Sequence, residues 1–264
     1  MYPVLFNIFS VPVETYYVIW FIALSLAMAW STRRFGLYGL DEDEGRRVTA
    51  WAFLGMLFGA RAFEYIWNFS AYLRNPSLFF DLSRGGLSEV GAIGGAFLTA
   101  FFLCRGNPKV SLTRLCDIAS PPVAMTMAVG RWGCFSAGCC VGVPSAARFA
   151  LHFPYDAAGI ARHPTQIYYS LSSALILLAL LWIESRTVRR KILPGGSLVS
   201  PAALLLYSVM RLAIDPLRAE ADSSGLFLSH AVLLIAMPFE AIWLGRSFVI
   251  LKKTGGLGLP DPNS

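Results

Sequence analysis

Apolar stretches follow one another along the chain at roughly 15–31, 48–69, 86–104, 115–135, 165–184, 196–217 and 226–248, with the charged residues gathered mostly between them. Each stretch is close to the about 20 residues that an α-helix needs to cross a hydrocarbon layer. The pattern predicts an all-α, polytopic integral membrane protein with about seven transmembrane helices. The fourth stretch carries Asp117, Pro121 and Pro122, so it is expected to be broken or partly re-entrant, which a membrane tolerates only where protein or water satisfies the opened backbone groups. The first has no basic residue before it and runs past Trp20 to Trp30 before Arg33 and Arg34 stop it. It reads as an uncleaved span, not a signal peptide.

Composition agrees with the pattern. With 56% hydrophobic and only 14% charged residues, a water-soluble globule would lack the polar surface to cover its core, which excludes the soluble classes. The charges are distributed asymmetrically. Arg33, Arg34, Arg46 and Arg47 follow the first span, Arg105, Lys109 and Arg114 the third, Arg186, Arg189, Arg190 and Lys191 the fifth, and Arg246, Lys252 and Lys253 the seventh. The positive-inside rule then puts the N-terminus outside and the C-terminus in the cytoplasm, with the segment from Arg131 to His163 on the outer side. The net charge of +6 is explained by cytoplasmic loops facing anionic lipid and calls for no nucleic-acid partner.

Residues 1–254 read as a single transmembrane domain with an outer-face loop at about 136–164, and 255–264, with Pro260 and Pro262, as a disordered tail. Gly142, Pro144, Ala146 and Ala147 make that loop a mobile gate beside the site.

Candidate chemistry lies in ionisable residues and thiols within or at the edge of the spans. Arg61 and Glu64 are three apart on one helix, and Arg211, Asp215 and Arg218 recur at spacings of four and three, so each group shares a face. Internal salt bridging accounts for the first group as well as any ligand does. The second has two positive charges for one negative, and a planar guanidinium in a membrane cavity suits a phosphate. Gly130 to Gly142 reads Gly-Arg-Trp-Gly-Cys-Phe-Ser-Ala-Gly-Cys-Cys-Val-Gly, which sets Arg131 beside Cys134, Cys139 and Cys140. A cationic neighbour raises a thiol's thiolate fraction.

The order Tyr16, Gly59-Ala60-Arg61 with Tyr65, Arg84-Gly85-Gly86-Leu87-Ser88, Gly130-Arg131-x-Gly133, His163-Pro164-Thr165-Gln166-Ile167-Tyr168, Pro194-Gly195-Gly196 and Arg211-x-x-x-Asp215-x-x-Arg218 resembles the prolipoprotein diacylglyceryl transferase family from the first span to the last. The resemblance implies a transferase of the bacterial inner membrane, with its active site toward the outer face. It takes phosphatidylglycerol, moves the diacylglyceryl group to a prolipoprotein's lipobox cysteine and releases glycerol 1-phosphate. It also implies that Arg131 and Arg211 bind and polarise the phosphate, with Arg218 and Asp215 in support, and that Tyr16, Arg61, Ser88, Cys134, Gly142 and Gln166 contribute to substrate binding.

Two stretches depart from the family. Its Gly-Gly-Met-Ser-Phe-His-Gly-Gly is here Gly85-Gly86-Leu87-Ser88-Glu89-Val90-Gly91-Ala92, so Val90 stands in place of the histidine that is the usual candidate base. Its Gly-Arg-x-Gly-Asn-Phe-x-Asn-Gly-Glu has lost two amides and a carboxylate to Cys134, Ala137 and Cys139. His163 and Glu89 remain as candidate general bases. For the thiols three readings stay open: small hydrophobes, as for Cys104 and Cys116; a nucleophile at Cys139 or Cys140 serving a different acceptor; or a redox or metal site with His163. The Cys-x4-Cys-Cys spacing is not a usual zinc pattern, so neither a metal nor a cofactor is expected. A non-catalytic lipid-binding or transport protein is the alternative outside enzymes.

Overall fold

The computed structural model describes residues 3–9, 11–75, 77, 88–106, 111–154, 156, 159–187, 198–219 and 224–253. Arg84 to Leu87, Pro194 to Gly196 and the tail 255–264 lie outside the described residues, as does the side chain of Glu89. The chain is all-α in its main elements: α1 (Thr15–Leu37), α2 (Glu42–Trp67), the short α3 (Phe69–Arg74), α4 (Glu89–Gly106), α5 (Leu112–Ala137), α6 (Thr165–Thr187), α7 (Val199–Ile214) and α8 (Ser224–Lys253). Among the described residues, Thr15–Leu37, Thr165–Thr187 and His230–Lys253 are long and apolar enough to cross a membrane. Phe21, Phe58, Leu175 and Phe239 point outward with more than half of their surface exposed, as suits helices solvated by hydrocarbon. Two small antiparallel pairs accompany the helices: β1 (Val4–Ile8) with β2 (Val11–Glu14) ahead of α1, and β3 (Leu151–His152) with β4 (Ala161–Arg162) in the loop after α5.

The chain forms two compact units, one of Met28–Ile118 and one of Met1–Ala27 with Ala119–Ser264. The first is built on α2 and α4, which meet backbone to backbone. A Cβ on Gly59 would stand 2.7 Å from the Gly95 Cα, and one on Gly95 2.9 Å from the Gly59 Cα; Gly55 is closed by Gly95 and Thr99, and Gly91 by Gly59 and Phe63. Gly55-x3-Gly59 thus faces Gly91-x3-Gly95, a small-residue seam that lets two helices approach where lipid offers no hydrophobic drive. Ser88 begins α4: its N–H donates to the Ala60 carbonyl at 3.1 Å, and its Oγ accepts from the Gly91 N–H at 3.3 Å as an N-terminal cap.

In the second unit α7 packs against both α6 and α8. Leu180, Val199, Ala202 and Ala124 form one buried cluster, and Tyr169, Met210 and Ile214 another.

The expected break in the fourth span does not occur. Residues 112–137 form one helix with Pro121 and Pro122 inside it. Those prolines have no N–H to give the carbonyls of Asp117 and Ile118, four residues back. Arg34 supplies the donors: its Nε reaches the Ile118 carbonyl at 2.8 Å and an Nη the Asp117 carbonyl at 3.2 Å.

Gly59→Leu is expected to destabilise the α2/α4 pair by roughly 1–3 kcal/mol through overpacking, read as a lower thermal unfolding midpoint in detergent. Gly94→Ala, at a position inside α4 where an added Cβ meets nothing within 4 Å, is expected to raise the midpoint slightly, by the roughly 0.5–1 kcal/mol that alanine gains over glycine within a helix.

Candidate active site

The end of α5 is shaped by the two glycines that flank Arg131. A Cβ on Gly130 would stand 2.7 Å from the Trp20 ring, and one on Gly133 3.2 Å from the Tyr16 carbonyl. Positions 130 and 133 therefore accept the start of α1, while Arg131, about 100° round the helix from Gly130, turns elsewhere. Its guanidinium lies over the Tyr169 ring of α6 at 4.4 Å from the centroid, and the residue is 7% exposed. A buried guanidinium on an aromatic face keeps its charge and its planar orientation.

The helix stops at Gly138, whose φ of 70° belongs to the left-handed region that glycine adopts at helix ends. Its N–H donates to the Phe135 carbonyl, and the Cys139 N–H to the Cys134 carbonyl at 3.1 Å. Two residues on, Cys140 has a φ of 59°, a strained conformation for a side chain that carries a Cβ, of the order of 1–3 kcal/mol. Its neighbours hold it there. Gln166 Nε2 donates to the Cys139 carbonyl and Thr165 Oγ1 to the Cys140 carbonyl, both at 2.6 Å, and Gln166 and Thr165 are themselves almost wholly buried.

Turned back in this way, Cys139 and Cys140 bring their sulfurs to Cys134, the three lying within 4.8 Å of one another. Cys134 is buried, Cys140 half-buried and Cys139 exposed. Contacts from the Cys134 and Cys139 thiols hold the Cys140 thiol well below the usual thiol range, and the guanidiniums of Arg218 and Arg131 pull the same way. The Cys139 thiol is pushed upward by the same two sulfur neighbours, Cys134 and Cys140. Tyr16 stands close enough to all three thiols to couple with them electrostatically.

The described residues of the following loop, where a gate is expected, make several backbone hydrogen bonds to other segments. The Gly142 N–H donates to the His163 carbonyl at 2.9 Å, the Val143 N–H to the Leu217 carbonyl at 2.8 Å, and the Ala219 N–H to the Val141 carbonyl at 3.0 Å. Gly142 and Arg218, and Pro144 and Arg162, form bridges. Three strands of chain converge on Gly142, where a Cβ would stand 2.6 Å from the His163 carbonyl and 2.7 Å from that of Leu217. Arg162 clasps Asp156 through both carboxylate oxygens at 2.8 Å.

Arg211 and Asp215 form a second group, joined to Arg218 by a single 3-10 turn, Asp215–Leu217. Arg211 Nε donates to Asp215 Oδ2 at 2.7 Å, and an Nη reaches the Tyr207 hydroxyl at 3.2 Å. Asp215 is wholly buried, and His230 Nε2 stands 3.5 Å from its Oδ2. His230, on α8, lies too far along the chain for local spacing to have connected it with Asp215. His163 Nδ1 is 3.0 Å from the Tyr168 hydroxyl, with the Phe149 ring beside both.

Of the residues singled out in the sequence, Arg131, Cys134, Cys139, Cys140, Gln166, Arg218 and Tyr16 thus come together. His163 adjoins through Gly142, and Arg211 and Asp215 follow one turn beyond. Arg61 and Ser88 belong to the other unit. Arg61 is buried, its guanidinium 5.7 Å from the Tyr72 ring centroid, while Glu64 accepts from Asn68 Nδ2 at 2.6 Å and Ser88 is used in capping α4. Tyr169 beneath Arg131 and Thr165 beside Gln166 are site residues that the sequence offered without marking.

A profile of the prolipoprotein diacylglyceryl transferases matches residues 3–244, and the chain belongs to that family. Similar proteins include phosphatidylglycerol–prolipoprotein diacylglyceryl transferases of Clostridium novyi, 29% identical over 96% of this chain and 99% of that protein, and of Clostridium tetani, 28% identical over 83% of this chain and 86% of that one. That of Pseudomonas fluorescens is 26% identical over 97% of this chain and 91% of its own.

Cys140→Gly is expected to relieve the left-handed backbone and raise the unfolding midpoint by the equivalent of about 1 kcal/mol, whereas Cys140→Ala gives no such rise. Gln166→Leu is expected to cost about 1–3 kcal/mol by leaving the Cys139 carbonyl without its donor, and to speed maleimide labelling of Cys139.

Proposed function

We propose that the chain transfers the diacylglyceryl group of phosphatidylglycerol to the thiol of a prolipoprotein cysteine. The names of its relatives specify that donor and that acceptor. The acceptor thiol releases its proton to water and its sulfur attacks the glyceryl carbon that bears the phosphate, a C–S bond forms, and the C–O bond breaks. Its electron pair leaves on the oxygen of glycerol phosphate. Negative charge therefore gathers on the departing phosphate, and fixed guanidiniums facing it lower the barrier without reorganising at the moment of reaction.

The observation that carries this reading is Arg131, an arginine at the family's position that is 7% exposed and braced on Tyr169. It is pre-oriented, and the Arg218 charge bears on the same site. Arg211, oriented by Asp215 and Tyr207, is the second phosphate ligand, with His230 steadying Asp215. Tyr16, Gln166 and Gly142 shape the site around the lipid headgroup. Arg61 and Ser88 are assigned to substrate binding by the resemblance alone.

In the membrane, α1, α2, α4, α5, α6, α7 and α8 are the seven spans, with the N-terminus outside and the C-terminus cytoplasmic. The arginines and lysines after the first, third, fifth and seventh spans support this orientation. It sets the thiols and Arg131 toward the outer face of a bacterial inner membrane, where lipobox-containing preprolipoproteins emerge.

The test is turnover of labelled phosphatidylglycerol in liposomes with a lipobox peptide. The peptide is expected to gain the diacylglyceryl mass as glycerol phosphate appears, and Arg131→Gln to lower kcat by about 10²–10³. Mass added to the protein itself would instead make Cys139 or Cys140 the nucleophile. Bound lipid with no release would leave a lipid-binding protein.

A further inference from the structure

Adjacent cysteines in a chain usually diverge, yet Cys139 and Cys140 both turn back on Cys134. The cost of this arrangement is visible in the backbone. Cys140 holds a φ of 59° that glycine would adopt without strain, and two buried side chains, Thr165 and Gln166, donate to consecutive carbonyls to keep it there. If the thiols served only as small hydrophobes, nothing would be gained from a cysteine at 140 in place of glycine. The result is three sulfurs within 4.8 Å of one another, from which small side-chain rotations bring them to the about 3.8 Å separation of sulfurs that share one thiophilic ion at metal–sulfur bonds of about 2.3 Å.

We propose that Cys134, Cys139 and Cys140 form a three-thiolate site for zinc or a similar soft divalent cation, and that its open fourth position takes the sulfur of the acceptor thiol. The second part rests on the transferase reading given above; the first does not.

Ligand type and charge agree with this. Thiolates select soft cations, and three protein ligands with one position left open is the arrangement of catalytic zinc, whereas structural sites close all four. Three thiolates around a divalent ion carry a net charge of minus one, which the Arg131 and Arg218 charges acting on Cys140 offset. Cys139 is exposed, so the set is reachable from outside. Among the described residues no histidine or carboxylate joins the three sulfurs, and the proposal gives the fourth position to the acceptor.

The chemistry fills the gap left at Val90. A thiol that coordinates such a cation gives up its proton to water, so the acceptor is a thiolate without a histidine base. That sulfur attacks the glyceryl carbon, the C–S bond forms as the C–O bond breaks, and the electron pair departs on glycerol phosphate. The product thioether is neutral and a weak ligand, and it dissociates.

Cobalt(II) is the probe. The full chain in detergent, reduced, stripped with chelator and reloaded, is expected to bind about one cobalt with intense sulfur-to-metal charge transfer in the near ultraviolet and the visible bands of four-coordinate cobalt. Cys134→Ser, Cys139→Ser and Cys140→Ser are each expected to weaken binding by more than the about 10–100-fold that loss of an outer partner costs; Cys104→Ser is not. A lipobox peptide is expected to shift the visible bands, and the same peptide with serine for its cysteine to leave them. Failure of the fully reduced wild-type chain to bind micromolar cobalt with this spectrum overturns the site, whatever the variants do. Unshifted bands, or equal turnover by stripped and zinc-loaded protein, overturn the role of the fourth position while the transferase stands. Absence of turnover in both forms removes the transferase reading and leaves the metal site to be judged on its spectrum.

Discussion

A hydrocarbon layer offers no hydrogen bonds, so every backbone group that a helix leaves open must be met by the chain itself. Much of this structure answers that constraint. Arg34 gives the carbonyls of Asp117 and Ile118 the donors that two prolines cannot, Ser170 reaches across to the Ala128 carbonyl at 2.7 Å, and Thr99 and Thr126 turn their hydroxyls back onto their own helices. At the end of α5 the helix gives way to a strained turn. Thr165 and Gln166 close that turn, and in doing so they fix the direction of the sulfurs and the position of the loop that follows.

The site therefore combines two kinds of order. Arg131 is set by packing, between the glycine face turned to α1 and the Tyr169 ring. The thiols are set by hydrogen bonds to their backbone. Guanidiniums suited to a phosphate stand beside a sulfur cluster where the family has amides and a carboxylate, so the arginines keep the family's residue types while the positions beside them have changed chemistry.

The helices were legible because each apolar run is long and its period unimportant: α1, α4, α6 and α8 coincide with the stretches read from composition alone. Arg131, Arg211 and Asp215 were legible because rare charges in apolar surroundings stand out. The break expected at Pro121 and Pro122 was not, since its remedy, Arg34, lies more than eighty residues away and looks in sequence like a basic stop signal. Nor was the hairpin before α1 foreseen, its strands being too short to show alternation. Cys140 gave no hint of a left-handed backbone because that conformation follows from Thr165 and Gln166, and the pairings of Gly142 and Val143 with His163 and Leu217 join segments that only the fold brings together. Asp215 with His230, and Arg131 with Tyr169, are encounters of the same kind, between segments far apart in the chain.

Of the features of the other unit, the glycine seam between α2 and α4 has the widest consequence. Gly59 and Gly95 meet backbone to backbone, with the Thr99 side chain closing over Gly55 and the Phe63 side chain over Gly91. A slip of one helical turn in either direction would drive Trp51 or Phe63 into a place cut for a hydrogen atom. The pair has in effect a ratchet with a single tooth: it can tilt as one beam, but it cannot telescope, and no acyl chain can work its way between the two helices.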